Sequence, residues 1–481
     1  MTKHFRFAIR ELRAAWLVVA SLALAQFVCG ASLEKVRVAR DGRSFETTDG
    51  KAFTPFGVTY YRPGTGWAPQ VWKKWDADAT RKDFARMKEL GVNCARVFIS
   101  YGSFCNEPGV LDTNGLAKFD QFLAIAEEQG IYVHPTGPDH WEGLPRWASV
   151  DRVADEPVLK ALEDFWKQFA ARYRDRNVIF AYDLRNEPEV AWYNGVMRQR
   201  WDKWVVAKYG TPDKAATAWK TNNVSFDTLP TPAALDAPRD PLLLDYQHFR
   251  EDAADEWTRR QVAAIKSVDP KALVTVGMIQ WSVPSLLPRV QHYSGFNPAR
   301  QAKLLDFLEV HFYPFDGGAL EYKSDEEIQR NLAYLEGVVR EVARPGKPVV
   351  VAELGWYGGG KPRFDKGKHP FATEEQQANW CSNLVVRTSN MACGWLNWGF
   401  FDQPEATDVS ELTGLATADG KTKAWGKTFF ELAKRPSVRV TGAIGDAPAL
   451  DWDLAVTSSK AGNEFRARYF NWVKTRGRIN P

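Results

Sequence analysis

Two short acidic segments stand out because each closes an apolar run. Arg185-Asn186-Glu187-Pro188 follows "NVIFAYDL", and Ala352-Glu353-Leu354-Gly355 ends "KPVVVAE". A carboxylate at the end of such a run is expensive to bury unless it is paired or used. Two carboxylates facing each other across a pocket are the minimum equipment for cleaving a glycosidic bond. One is kept protonated to donate to the departing oxygen, and the other is kept ionised to attack the anomeric carbon. Arg96 in "GVNCARVFI" is an always-charged donor suited to holding Glu353 ionised. Tyr313 in "EVHFYPF" would act in the same sense through its hydroxyl, and His311, two residues earlier, shares its face of a strand. Asn186 is then free to hold a sugar hydroxyl, and Trp398 offers a flat apolar face for a sugar ring. Retention of configuration requires carboxyl groups roughly 5 to 5.5 Å apart, whereas a separation above about 6.5 Å would indicate inversion.

These residues need a frame that gathers strand ends into one place. Eight short apolar runs alternate with helical patterns: Phe53 to Tyr60, Val92 to Ser100, Ile131 to Thr136, Val178 to Leu184, Leu273 to Met278, Phe307 to Phe312, Pro348 to Glu353 and Gly394 to Phe400. Runs that are apolar throughout rather than alternating suit strands buried on both faces. The chain therefore predicts an α/β fold, a (β/α)8 TIM barrel, whose functional groups sit at the C-terminal ends of the strands. About ninety residues separate the fourth and fifth runs, so an insertion at about 192–245 is expected to shape the cleft, followed by a long helix near Tyr246 to Val268. After Ser437 the pieces "SVRVTGAI" and "EFRARYFNW" read as a small β appendage. The resulting division is a leader at 1–31, a barrel domain at 32–436 and a β-rich extension at 437–481. Asp183, inside the fourth run, is expected to be a structural hydrogen-bonding group, while Asp402 is a candidate for touching substrate. Trp67, Trp72, Trp141, Trp192 and Trp356 follow strand ends and are candidate sugar platforms, although packing is the simpler role for each alone.

Bulk properties agree with a soluble globular domain: 44% of the 481 residues are hydrophobic and 25% charged. Twenty Trp and fifteen Tyr exceed what a core of this size needs and favour a carbohydrate partner. The net charge of +4, without a basic run beyond the N-terminus, implies neither nucleic acid nor an anionic surface, so a neutral substrate is expected. His4, Arg6, Arg10 and Arg13 precede an apolar run from Ala14 to Val28, then Gly30 and Ala31. The pattern reads as an export signal cleaved near Ala31, hence a secreted or periplasmic protein, with an uncleaved anchor as the alternative and no stable membrane partner. Cys94, Cys105, Cys381 and Cys393 form two pairs close in sequence, compatible with disulfides and with buried thiols. No Cys/His spacing matches a metal site, and no cofactor is called for. A monomer is the default.

Taken in order, Arg96, Asn186-Glu187-Pro188, His311-Phe312-Tyr313, Glu353 and Trp398 resemble the clan A glycoside hydrolases, in particular family 5, the cellulase and β-mannanase family. The resemblance implies a retaining β-glycosidase with Glu187 as acid/base and Glu353 as nucleophile. It also implies a His near the end of the third strand. In "VHPTGPDHW" the loop residue His140 is the choice for the cleft, and His134, inside the apparent strand, is read as a core residue. The insertion "WVVAKYGTPDKAATAW" and the later "LLLDYQHFREDAADEW" are similar to family 42 β-galactosidases, which raises exo-acting cleavage beside internal cutting. β-Mannan and β-glucan stand ahead of β-galactoside as substrates. Transglycosylation is the rival within enzymes, and a non-catalytic carbohydrate-binding barrel the rival outside them.

Overall fold

Eight parallel strands close into a barrel in chain order: β1 Phe56–Thr59, β2 Cys94–Ser100, β3 Tyr132–Asp139, β4 Tyr182–Asn186, β5 Val274–Met278, β6 Leu308–Phe312, β7 Val349–Leu354 and β8 Gly394–Trp398. The computed structural model describes residues 33–65, 68–233, 235–314, 322–363, 369–435, 440 and 446–475. The export-signal reading of 1–31 and the platform reading of Trp67 fall outside the described residues. Every residue of β7 is buried, as expected of a strand covered on both faces. β4 starts later than the apolar run suggests and continues to Asn186. The earlier residue Ile179 makes only an isolated bridge to Val133, so "NVIFAYDL" is apolar before it is strand.

Helices cover the outside, and their boundaries follow from capping. α1 (Ala77–Glu89) begins at Asp76 and α2 (Thr113–Gln129) at Asp112, whose side chains accept from Ala79 and Gly115 backbone N–H groups. α2 ends at Gly130, whose φ of 66° suits glycine. α3 (Glu156–Tyr173) is followed after β4 by α4 (Gly195–Tyr209) and α5 (Pro212–Trp219), and then by the long α6 (Pro241–Lys266), capped by Asp240. α7 (Asp325–Ala343), α8 (Glu374–Thr388), which opens with a Thr373/Gln376 capping box, and α9 (Ala424–Ala433) complete the wall. The inserted α4 and α5 pack on α6 through Trp201, Trp219 and Tyr246.

Three short antiparallel strands, Val36–Val38, Phe45–Thr47 and Ala52–Phe53, close the end of the barrel where the strands begin. Phe45 packs edge-on against Phe180 and Phe307, and Phe53 against Tyr132. Among the described residues the four cysteines, Cys94, Cys105, Cys381 and Cys393, are free and buried, so the thiol alternative holds for them. Burial pushes the Cys105 thiol up to about 11 and Cys381 and Cys393 to about 12.

The C-terminal extension differs from the expected β appendage. "EFRARYFNW" lies within an α-helix, α10 (Ser459–Thr475), which packs on α7. Phe465, Tyr469 and Val473 recur at the helical spacing of four and are buried. The Phe465-Arg466-Ala467-Arg468-Tyr469 alternation that suggested a strand is a local coincidence of the two periods. Most of "SVRVTGAI" lies outside the described residues.

Candidate active site

Paired strands lift a stack of charged groups through the barrel interior. Arg96 on β2 and His134 on β3 are register partners, and Glu353 on β7 pairs with His311 on β6. His134 Nε2 lies 2.5 Å from Glu309 Oε1, and both residues are fully buried, so His134 is the satisfied core residue expected. The Glu309 charge and its hydrogen bond raise the His134 pKa against the opposing effect of burial. One layer higher, Arg96 donates to Asp183 (2.9 Å), Asn186 (2.8 Å), Thr136 (3.2 Å) and Glu353 (2.6 Å). Asp183 accepts in turn from the Gly277 N–H at 2.7 Å and the Arg185 N–H at 3.1 Å, which makes it the structural anchor of the guanidinium.

Glu353 and Glu187 occupy the mouth. One oxygen of each, with a ring nitrogen of His311, lies within 4.8 Å of the others, well short of the separation that would seat a water between the carboxyls for inversion. Glu353 is 3% exposed and accepts from Tyr313 Oη at 2.8 Å as well as from Arg96. Burial raises its carboxyl while His311, Arg96 and the Tyr313 hydroxyl pull the other way. Among the described residues Glu187 has no such direct donor from an Arg or Lys. Burial pushes its carboxyl up to about 7, against the more distant Arg96. Two carboxyls this close lose their protons in sequence, and the donors on Glu353 place the first negative charge there. Burial lowers the His311 pKa against the opposing pull of Glu353, and its Nδ1 stands 3.1 Å from Glu187 Oε1. Glu187 has φ +43°, a left-handed conformation uncommon for a side-chain-bearing residue, held by its N–H on the Gly277 carbonyl at 2.8 Å. The two carboxyls together can therefore supply a proton and a nucleophile to one bond.

The cavity above them has a volume of about 310 Å³ and is walled by Trp141, Trp281 and Trp398. Trp398 ends β8, packs on Tyr61 and Phe98, and donates from its indole to Ser410 at 2.7 Å. Trp395 on the same strand bonds Thr388 instead and belongs to the outer core. Of the groups expected here, Arg96, Asn186, Glu187, His311, Tyr313, Glu353 and Trp398 come together. His140 does not: it stands 3.0 Å from Asp139 and stacks behind Trp141, which is the residue that reaches the cavity. Asp402 is likewise turned away, bound to Lys423 (2.9 Å) and the Gly414 N–H (2.8 Å). Trp72 and Trp356 are fully buried core residues. The sequence reading passed over Gln280 and Trp281, which follow β5. Gln280 accepts from the Tyr313 N–H at 2.8 Å and so fixes the tyrosine. Their only signal was position after a strand end, with no charged residue to mark it. The inserted helices do not reach this cavity.

Fold and site together define a (β/α)8-barrel protein with two unlike carboxylates at the C-terminal mouth. Residues 48–402 match the family Cellulase (glycosyl hydrolase family 5), and the chain belongs to that family. It is 25% identical over 173 residues to mannan endo-1,4-beta-mannosidase F of Aspergillus clavatus, covering 30% of this chain and 39% of the relative. The chain thus matches about two fifths of the length of that relative. Among solved structures, the exo-beta-1,4-mannosidase Op5Man5 from Opitutaceae bacterium strain TAV5 aligns with a TM-score of 0.58 at 18% identity, over 83% of this chain and 62% of that one. A GH5_18 protein from Streptomyces cattleya, solved with GlcNAc, aligns with a TM-score of 0.61 at 18% identity over 89% and 92% of the two chains.

Proposed function

We propose that this chain is a retaining β-glycosidase acting on β-mannosidic linkages by double displacement. The observation that carries the reading is the pair of carboxylates within 4.8 Å in opposite surroundings, Glu353 under Arg96 and Tyr313, and Glu187 held near neutrality. Glu353 attacks the anomeric carbon as Glu187 protonates the departing oxygen; Glu187 then takes a proton from the water that releases the sugar. Arg96, Tyr313 and Gln280 are positioning residues, and the three tryptophans bind the sugar ring. β-Mannosides are favoured because the mannanase relative and the exo-mannosidase neighbour are named for them. A cavity of about 310 Å³ suits a short sugar segment better than a long cleft would, which favours exo-cleavage or small oligosaccharides. Export through residues 1–31 belongs to the same proposal, and N-terminal sequencing of protein recovered outside the cytoplasm tests it.

The experiment is hydrolysis of aryl β-mannoside, β-glucoside and β-galactoside beside mannan and β-glucan, with Glu353→Ala and Glu187→Ala. The β-mannoside is expected to be cleaved with retention. Loss is expected to be about 10⁴-fold or more for Glu353→Ala and about 10² to 10⁴-fold for Glu187→Ala. Activity surviving Glu353→Ala overturns the nucleophile, and silence across the panel from folded protein favours a carbohydrate-binding barrel.

A further inference from the structure

Glu187 faces two cavities. Beside the one it shares with Glu353 lies a second, also about 310 Å³, between the loops that follow β3 and β4; Glu187 lines both and Glu353 only the first. Resting on the glycosidase reading, this order places the second cavity where a departing group would lie, on the far side of the proton donor. Its walls are polar and include Arg152, Arg185 and Glu189.

Neither arginine forms a salt bridge among the described residues, although Asp151, Glu187 and Glu189 line the same cavity. Arg185 is 5% exposed and its Nε is buried without a partner. The Nη1 of Arg152 is likewise buried and unpartnered. Burial and then the charge of Arg185 lower the Arg152 pKa to about 10, so the two cations face each other. The nearby acids are only partly engaged by other groups: Asp139 keeps one buried oxygen without a hydrogen-bond partner, and the charges of Asp139 and Asp151 oppose the lowering of the Arg152 pKa. Asp151 accepts from the Val153 and Ala154 N–H groups at 2.8 Å and from Asn194 at 2.7 Å, and Asp139 accepts from the His140 N–H at 2.6 Å. Glu189 is exposed, and its charge is drawn first to Arg250 and more weakly to Arg185. Two guanidiniums that each keep a buried donor unpartnered, with no carboxylate at ion-pairing distance among the described residues, are complementary to an oxyanion, which each can hold with charge-assisted bonds.

We propose that this cavity is the leaving-group subsite and that it takes a sugar bearing an oxyanion, with Arg185 and Arg152 as its ligands. The chemistry fits the carboxylate of a uronic acid and the phosphate of a sugar phosphate, and binding measurements separate the two.

The test is calorimetry with glucuronate, glucose 6-phosphate and glucose, followed by kcat/KM for β-mannosides whose aglycones are glucuronate, glucose 6-phosphate and glucose. At least one anionic sugar is expected to bind, and its β-mannoside to be cleaved, about tenfold or more better than the neutral counterpart. Whichever anion prevails identifies the source. Arg185→Gln is expected to bring the anionic-to-neutral ratio close to one and Arg185→Lys to restore part of it. Arg152→Gln, at a less buried position, gives the same readout if Arg185→Gln fails to fold. Equal binding of the three sugars together with cleavage of the neutral mannoside overturns this inference alone. An absence of hydrolysis on every β-glycoside overturns the glycosidase reading beneath it.

Discussion

Glu187 must hold a proton when substrate binds, and its carboxyl is pushed up to about 7 by burial. Activity is therefore expected to fall as pH rises through about 7, seen as the basic limb of kcat/KM against pH. The same shift has a cost in stability. Between the ordinary carboxylate range and about 7 the folded chain keeps a proton that the unfolded chain has released, so stability falls as pH rises across that window. Glu187→Gln should accordingly raise Tm more at pH 8 than at pH 5, checked by melts at both values. Arg96→Lys exchanges a fork that spans four partners for a point charge. A loss of kcat of about 100-fold is expected, together with an acid limb moved upward as Glu353 loses its donor. The Arg96 and Tyr313 contacts were legible because a buried carboxylate at a strand end demands donors and few residues could supply them. Trp141 was not separable from His140, since adjacent loop residues carry no periodicity to say which one turns inward.

Elements explain where the reading of the chain held and where it slipped. The ends of β4 and β7 were found because their apolar runs stop at acids, while the end of β5 has no acid and its Gln280 and Trp281 went unremarked. β5 also carries Gly277, whose backbone serves Asp183 through its N–H and Glu187 through its carbonyl. A Cβ there would lie 2.8 Å from Asp183 Oδ2 and 2.9 Å from His311 Nε2. Gly277→Ala should therefore cost about 1 to 3 kcal/mol through overpacking and lower kcat about tenfold or more by displacing His311, measured by denaturant melts and steady-state kinetics. The tail was misread for a related reason. A stretch of five residues can satisfy a period of two and a helical spacing at once, and only the neighbour it packs on decides between them.

On the scale of the molecule, α10 buries Phe465, Tyr469, Phe470 and Val473 against the outer wall, with Tyr469 joined to Arg340 and Glu336 of α7. Deleting residues 458–481 should lower Tm by more than about 5 °C, because it removes burial worth about 1.5 to 3 kcal/mol for each of these large side chains and uncovers the wall beneath them. Turnover at low temperature should persist, because α10 lines neither cavity. At the opposite end the three-stranded plug fixes where the first described residues emerge. The Glu34 carbonyl accepts from Tyr132 Oη at 2.6 Å and Lys35 reaches Asp269 at 2.9 Å, both beside the starts of barrel strands. The chain thus enters the fold at the pole away from the carboxylates. A bead, a fusion partner or a bilayer attached ahead of residue 33 would hold the molecule by its base with the opening turned to the surrounding liquid, so a polymer too large to diffuse past the support could still present its ends to the cavity.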